Sequence, residues 1–81
     1  MSGKRKNLPN IAFGIVLRGL RVKSGLSQES LGFAADLQRN YISLMELGHN
    51  QPTITTIFKL AIALGITPSE LIKMVESETK H

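Results

Sequence analysis

The chain has 81 residues, 42% of them hydrophobic, and no cysteine. That suffices for one small core but excludes disulfides, thiolate metal sites and a cysteine nucleophile. The formal net charge is +4, with seven Lys/Arg against two acids in residues 1–40 and three against four in residues 41–81; a basic half of this kind suits a polyanion such as nucleic acid or an anionic membrane, although charge alone favours ordinary solubility charge.

In chain order, the opening "MSGKRKNLPN" is basic and is followed by no long apolar segment, so it reads as a flexible arm over residues 1–10 rather than a secretory signal. No run of about eighteen apolar residues is present to span a membrane, and a cytoplasmic location is expected. The first helix is expected from Ile11 to Lys23, with Phe13, Val16, Leu17 and Leu20 as its apolar stripe. Gly14 and Gly19 each weaken it by ~1 kcal/mol relative to alanine, so packing must hold it. Ser24-Gly25 ends it.

Ser27 is a good N-cap for a second helix over Gln28 to Ala35, with Leu31, Ala34 and Ala35 facing inward. A turn around Asp36–Gln38 leads to a third, reaching about Leu47, with Leu37, Tyr41, Ile42 and Met45 as its inner face. "GHNQPT" is a loop by composition. The fourth spans Ile54 to Leu64 behind Thr53, with a core stripe of Ile54, Ile57, Phe58, Ala61 and Leu64. The fifth opens with "TPSE", a capping box with proline in its first turn, and carries Leu71, Ile72 and Val75. The tail, residues 78–81, is polar and expected to fray. Strand-like alternation is absent. The chain therefore reads as an all-α, five-helix domain over residues 11–77, with an arm before it and a tail after it.

Helices two and three are short, meet at a tight turn, and bring the small residues Gly32 and Ala35 near it. Steep crossings of this sort need small side chains and define a helix-turn-helix. The outer face of the third helix carries Gln38, Arg39, Asn40 and Ser43 and no carboxylate. Glutamine and asparagine can pair with adenine, and arginine with guanine, through two hydrogen bonds each in the major groove, where a carboxylate would repel the flanking phosphates. A solvated polar face is the ordinary alternative.

The text "LRGLRVKSGLSQESL", then "RNYISLMELGHNQPTITTIFKLAIALGITPSEL", resembles the helix-turn-helix family of phage repressors and Cro-like (XRE-type) regulators, and within it the small controller proteins of restriction–modification systems. The resemblance implies a lambda-repressor-like fold. It implies base reading by Arg39, Asn40 and Ser43, with Gln38 beside them, and backbone contacts by Gln28, Tyr41, Asn50 and Gln51. It also implies a positioning pair, Arg21 and Glu46; an exposed pair would be worth ~0–1 kcal/mol. Asp36 stands where glycine is usual, Gln38 where a serine or threonine cap is usual, and Leu44 and Leu47 where polar residues are common. Leu44 could meet a thymine methyl. Arg18 and Lys4 are further candidates for phosphate.

One such unit reads few base pairs, so a homodimer on an inverted-repeat operator in double-stranded DNA is expected, with half-sites about 34 Å apart. Ile62, Ile66, Ile72, Met74 and Val75 are the candidate dimer residues. The chain leaves no room for a ligand-sensing domain, and no small-molecule ligand or cofactor is expected. An enzyme is disfavoured: His49 and His81 lack metal-ligand spacing, and no phosphate-binding glycine loop occurs. The competing class is a protein-interaction module, an antitoxin or anti-repressor built on the same fold.

Overall fold

A computed structural model describes residues 7–80. Five helices follow one another: α1 (Pro9–Lys23), α2 (Gln28–Ala35), α3 (Arg39–Glu46), α4 (Ile54–Leu64) and α5 (Pro68–Glu78). α1 packs on α3 and α5, α2 on α3 and α4, and α4 on α5. Each helix places at least one residue in a sealed centre: Leu17, Leu31, Ile42 with Met45, Leu60 and Leu71 are fully buried.

The helix starts follow from local chemistry. Ser27 and Thr53 accept hydrogen bonds from the backbone N–H groups of Ser30 and Thr56, each satisfying a donor that the helix itself cannot. Thr67 does the same for Glu70, whose carboxylate in turn accepts from the Thr67 N–H at 2.8 Å. That N–H and the Thr67 hydroxyl hold the Glu70 carboxyl below its usual range.

α1 begins at Pro9, two residues before the expected start. Pro9 and Asn10 therefore belong to the helix and not to an arm; proline needs no hydrogen-bonding N–H in the first turn. Of the remaining arm, Leu8 is the N-cap of α1 and the Asn7 amide donates to the Glu78 carbonyl and carboxylate at 3.3 Å, whereas residues 1–6, with Lys4, lie outside the described residues, as does His81. At the other end, α5 runs one residue further than expected, to Glu78, and Thr79 caps it.

Four inward assignments, on three helices, are corrected. Ala34 is exposed. On α4 the core side is Thr56, Ile57, Leu60 and Ala61, whereas Ile54 and Phe58 are 71% and 52% exposed. α4 is apolar over most of its circumference, so periodicity alone could not fix its phase; contact with α2 on one side and α5 on the other does. Thr56 tolerates burial because its hydroxyl accepts from the Thr53 hydroxyl at 3.1 Å. On α5, Ile72 turns outward and leaves Leu71 and Val75 inside.

Two glycines set how closely helices approach. A Cβ on Gly14 would stand 2.6 Å from the carbonyl oxygens of Met45 and Glu46, so α1 lies directly against the end of α3. A Cβ on Gly32 would stand 2.6 Å from the Leu37 carbonyl oxygen, at the turn between α2 and α3. Gly19, by contrast, faces open space. Gly14→Ala and Gly32→Ala are therefore expected to lower unfolding free energy by about 1–3 kcal/mol through overpacking. Gly19→Ala should raise it by about 0.5–1 kcal/mol. Urea denaturation of the three variants checks the contrast, and a stabilising Gly14→Ala would contradict the packing described.

Candidate nucleic-acid interface

α3 has eight residues, too few to persist alone in water. It is held at three places. In the middle, Ile42 and Met45 are fully buried and Leu37 and Tyr41 pack half-buried against the same core.

At its start, Asp36 closes α2 in the left-handed region, with φ 57° and ψ 48°, and is the only non-glycine residue with positive φ among those described. The Leu37 N–H then donates to the Gly32 carbonyl at 2.8 Å, completing the turn. Aspartate tolerates this region better than most L-residues because its short side chain fits it. Lys59 of α4 lies 3.8 Å from the Asp36 carboxylate, which is itself fully exposed, so the pair has little energetic weight. Gln38 occupies the N-cap position of α3, but its side chain makes no cap hydrogen bond.

At its end, Glu46 is the anchor. The Arg21 Nε and Nη2 groups donate to its two carboxylate oxygens at 2.6 and 3.0 Å, and Nη1 donates to the Leu26 carbonyl at 2.9 Å. The two side chains retain only 10% and 3% of their accessible surface. The expectation of an exposed, weak pair is thus corrected: α1, the α1–α2 loop and α3 close over it. The hydrogen bond and charge of Glu46 hold the Arg21 guanidinium above its usual value despite the opposing effect of burial. The sole acid on α3 is in this way withdrawn from the surface.

What remains outside is a polar ridge. Gln38, Arg39 and Asn40 are exposed, Ser43 and Leu44 half-exposed. None of the four polar residues donates or accepts a side-chain hydrogen bond among the described residues. Asn50 and Gln51 are exposed in the loop that follows α3. That loop is placed by Asn10, whose amide donates to the Gly48 carbonyl at 2.8 Å, and by Gly48 itself, whose φ of 79° carries the chain away from α3. Asn10 was not legible as a functional position, because a single asparagine at a helix start carries no distinguishing pattern. Gln28 is half-buried, and its amide donates to Glu46 at 3.1 Å. Arg18 is exposed on α1, lining a groove with Ile15, Gly19, Val22 and Lys23 that reaches Glu46 at the end of α3.

The expected dimer residues do not share one surface. Val75 is buried in the core, 9% exposed, because α5 turns that side toward α1 and α4; Ile66 is half-buried against the same core. Ile72 borders a groove with Pro52 and Ile57, whereas Met74 borders others with Ile15 and Gly19 or with Ile66 and Lys73. Ile62, 74% exposed, lies instead on a stripe with Ile54 and Phe58 along α4.

Two short helices joined by a left-handed turn, with the second anchored from beneath and polar on top, make a helix-turn-helix unit. The chain belongs to the helix-turn-helix family HTH_3, whose model matches residues 17–71. Among its relatives, control protein C.MunI of Mycoplasma sp is 42% identical over 69 residues, covering 84% of this chain and 93% of that protein. Control protein C.BamHI of Bacillus amyloliquefaciens is 41% identical over 63 residues, covering 76% and 78%. The crystal structure of the restriction-modification controller protein C.AhdI from Aeromonas hydrophila superposes with a TM-score of 0.74 at 45% identity, covering 76% of this chain and 94% of that one.

Removing one member of a sealed ion pair strands the other. Arg21→Ala and Glu46→Ala are each expected to cost about 3–5 kcal/mol in urea unfolding, and replacing both by apolar residues of similar size should recover most of the loss. Single-mutant losses below about 1 kcal/mol would mean the pair is solvated.

Proposed function

We propose that the protein is a sequence-specific, double-stranded-DNA-binding transcriptional regulator of the controller type, acting as a homodimer on an inverted-repeat operator. The observation that carries this reading is the carboxylate-free ridge of Gln38, Arg39 and Asn40, presented on a helix whose only acid is sealed beneath it. An α-helix fits the major groove, and these side chains offer the paired donors and acceptors that base edges require. Ser43 and Leu44, further along α3, reach a second hydrogen-bonding edge or a thymine methyl. Gln28, Tyr41, Asn50 and Gln51 hold the phosphate backbone on either side, while the charge of Arg18 acts on any sequence alike.

Dimerisation uses the exposed α4 stripe, Ile54, Phe58 and Ile62. This revises the surface expected from sequence. Three aliphatic or aromatic side chains more than half exposed on one helix are more than a monomer's surface requires. The proposed role is non-enzymatic and cytoplasmic, as for DNA-binding regulators generally; among the described residues no single helix is long and apolar enough to cross a membrane.

Two measurements test the reading. An operator selected from a randomised duplex pool should bind in a salt-sensitive gel shift, and Arg39→Ala should weaken it about tenfold or more with its circular dichroism unchanged, the loss of one bidentate base contact being worth about 1–3 kcal/mol. Normal binding by that variant would remove Arg39 from the readers. Phe58→Glu should convert a dimer to a folded monomer in sedimentation; a variant that remains dimeric places the interface elsewhere.

A further inference from the structure

The outer face of α3 changes character along its length. Its first turn presents Arg39 and Asn40, both exposed. Its last presents Leu44, half-exposed, and Leu47, 61% exposed at the C-cap position. Asn40, Leu44 and Leu47 are spaced by four and three residues, which sets them on one helix face. Leu47 still has helical backbone angles, φ −83° and ψ −5°, so it continues that face. It stands about 10 Å beyond Asn40 along the axis, the span of about three base-pair steps. Neither leucine is part of the buried core or among the side chains that pack against it. The fold itself therefore does not account for two aliphatic side chains on the side turned away from Ile42 and Met45.

We propose that Leu44 and Leu47 make the end of α3 a methyl-reading surface, which takes the C5-methyl group of a pyrimidine in the major groove. The inference rests on the DNA-binding reading given above and extends the same face of the same helix. Of the base-edge groups in that groove, the C5 substituent of a pyrimidine is the apolar one: a methyl on thymine, a hydrogen on unmodified cytosine. The other edge atoms are donors and acceptors. A leucine set against those displaces water and returns no hydrogen bond, which costs free energy. The pair thus favours a methylated pyrimidine twice over, by burying the methyl and by penalising polar edges in its place. Thymine carries the group as part of the sequence. Cytosine methylated at C5 carries it at the same position, so an operator with cytosine beneath these leucines is bound according to its methylation. Arg39 and Asn40 then read hydrogen-bonding edges at one end of the helix, and the leucines read methyl groups at the other.

The test changes one methyl at a time. Binding is measured on the selected operator with deoxyuridine in place of each thymidine, which removes the group, and with 5-methyldeoxycytidine in place of each deoxycytidine, which adds it. At one or two neighbouring positions, removal should lower affinity, or addition raise it, by about fourfold, the transfer free energy of a single methyl group. A response to deoxyuridine alone assigns thymine as the source, a response to 5-methyldeoxycytidine alone assigns modified cytosine, and responses to both assign the shared group. Leu47→Gln or Leu44→Gln should abolish the response, with circular dichroism unchanged. A scan in which no position responds overturns the proposal even if the operator is bound tightly, and so does a response that both variants retain. If the unmodified protein binds no duplex at all, the DNA-binding reading fails first and this inference falls with it.

Discussion

The burial of one carboxylate governs the surface this protein presents. Glu46 sits on the helix that would enter a polyanion, where a free negative charge would be the worst possible feature. The fold does not remove the acid. It turns it inward, matches it with a bidentate guanidinium that is itself buried, and uses the pair to pin the end of an eight-residue helix to α1. Sealing two opposite charges together costs desolvation, which good geometry and the additional bonds to Leu26 and from Gln28 offset. One arrangement thus clears the outer surface of negative charge and holds rigid a helix that could not persist unaided.

The two ends of α3 are fixed by different physics, and that difference explains what could be read in the sequence. Its start is governed by local rules. Ser27, the turn at Asp36 and the small residue at Gly32 are short-range features, and each was legible, including the departure of Asp36 from the usual glycine. The glycines themselves were legible as breakers but not as spacers. The sequence registers only that Gly14 weakens a helix, whereas the carbonyls of Met45 and Glu46 occupy the space a side chain would need. The end of α3 depends on groups 25 residues apart in the chain. Their pairing was accessible through the family resemblance, but their burial was not, because it is a property of three segments closing together.

The same distinction accounts for the misplaced faces. α3 is apolar on one side and polar on the other, and its inner residues were assigned correctly; on α1, Phe13 and Leu17 are buried and Val16 and Leu20 half-buried as expected, but Arg21 is buried with them while Ile15 and Val22 are exposed. α4 is apolar nearly all round, so its sequence admits several phases, and the neighbours chose one that buries Thr56 and exposes Phe58. A threonine beside an N-cap threonine can satisfy its own hydroxyl, a compensation invisible to a scale that ranks residues singly. α5 likewise has apolar residues on several sides, and Val75 went inward where a partner surface had been expected. Phe33, at 91% the most exposed of the large apolar side chains among the described residues, belongs to α2, whose brevity left its outer face without a pattern to interpret.

The ridge on α3 is chemically idle within its own domain. Among the described residues the side chains of Gln38, Arg39, Asn40 and Ser43 make no hydrogen bond, while Ile42, Met45 and Glu46, interleaved with or following them, carry the anchoring. Scaffold and vocabulary are thereby separated residue by residue along two turns of helix. On the proposed reading, descendants of this chain could exchange the ridge residues, and so move to new target sites, without touching the residues that anchor the helix.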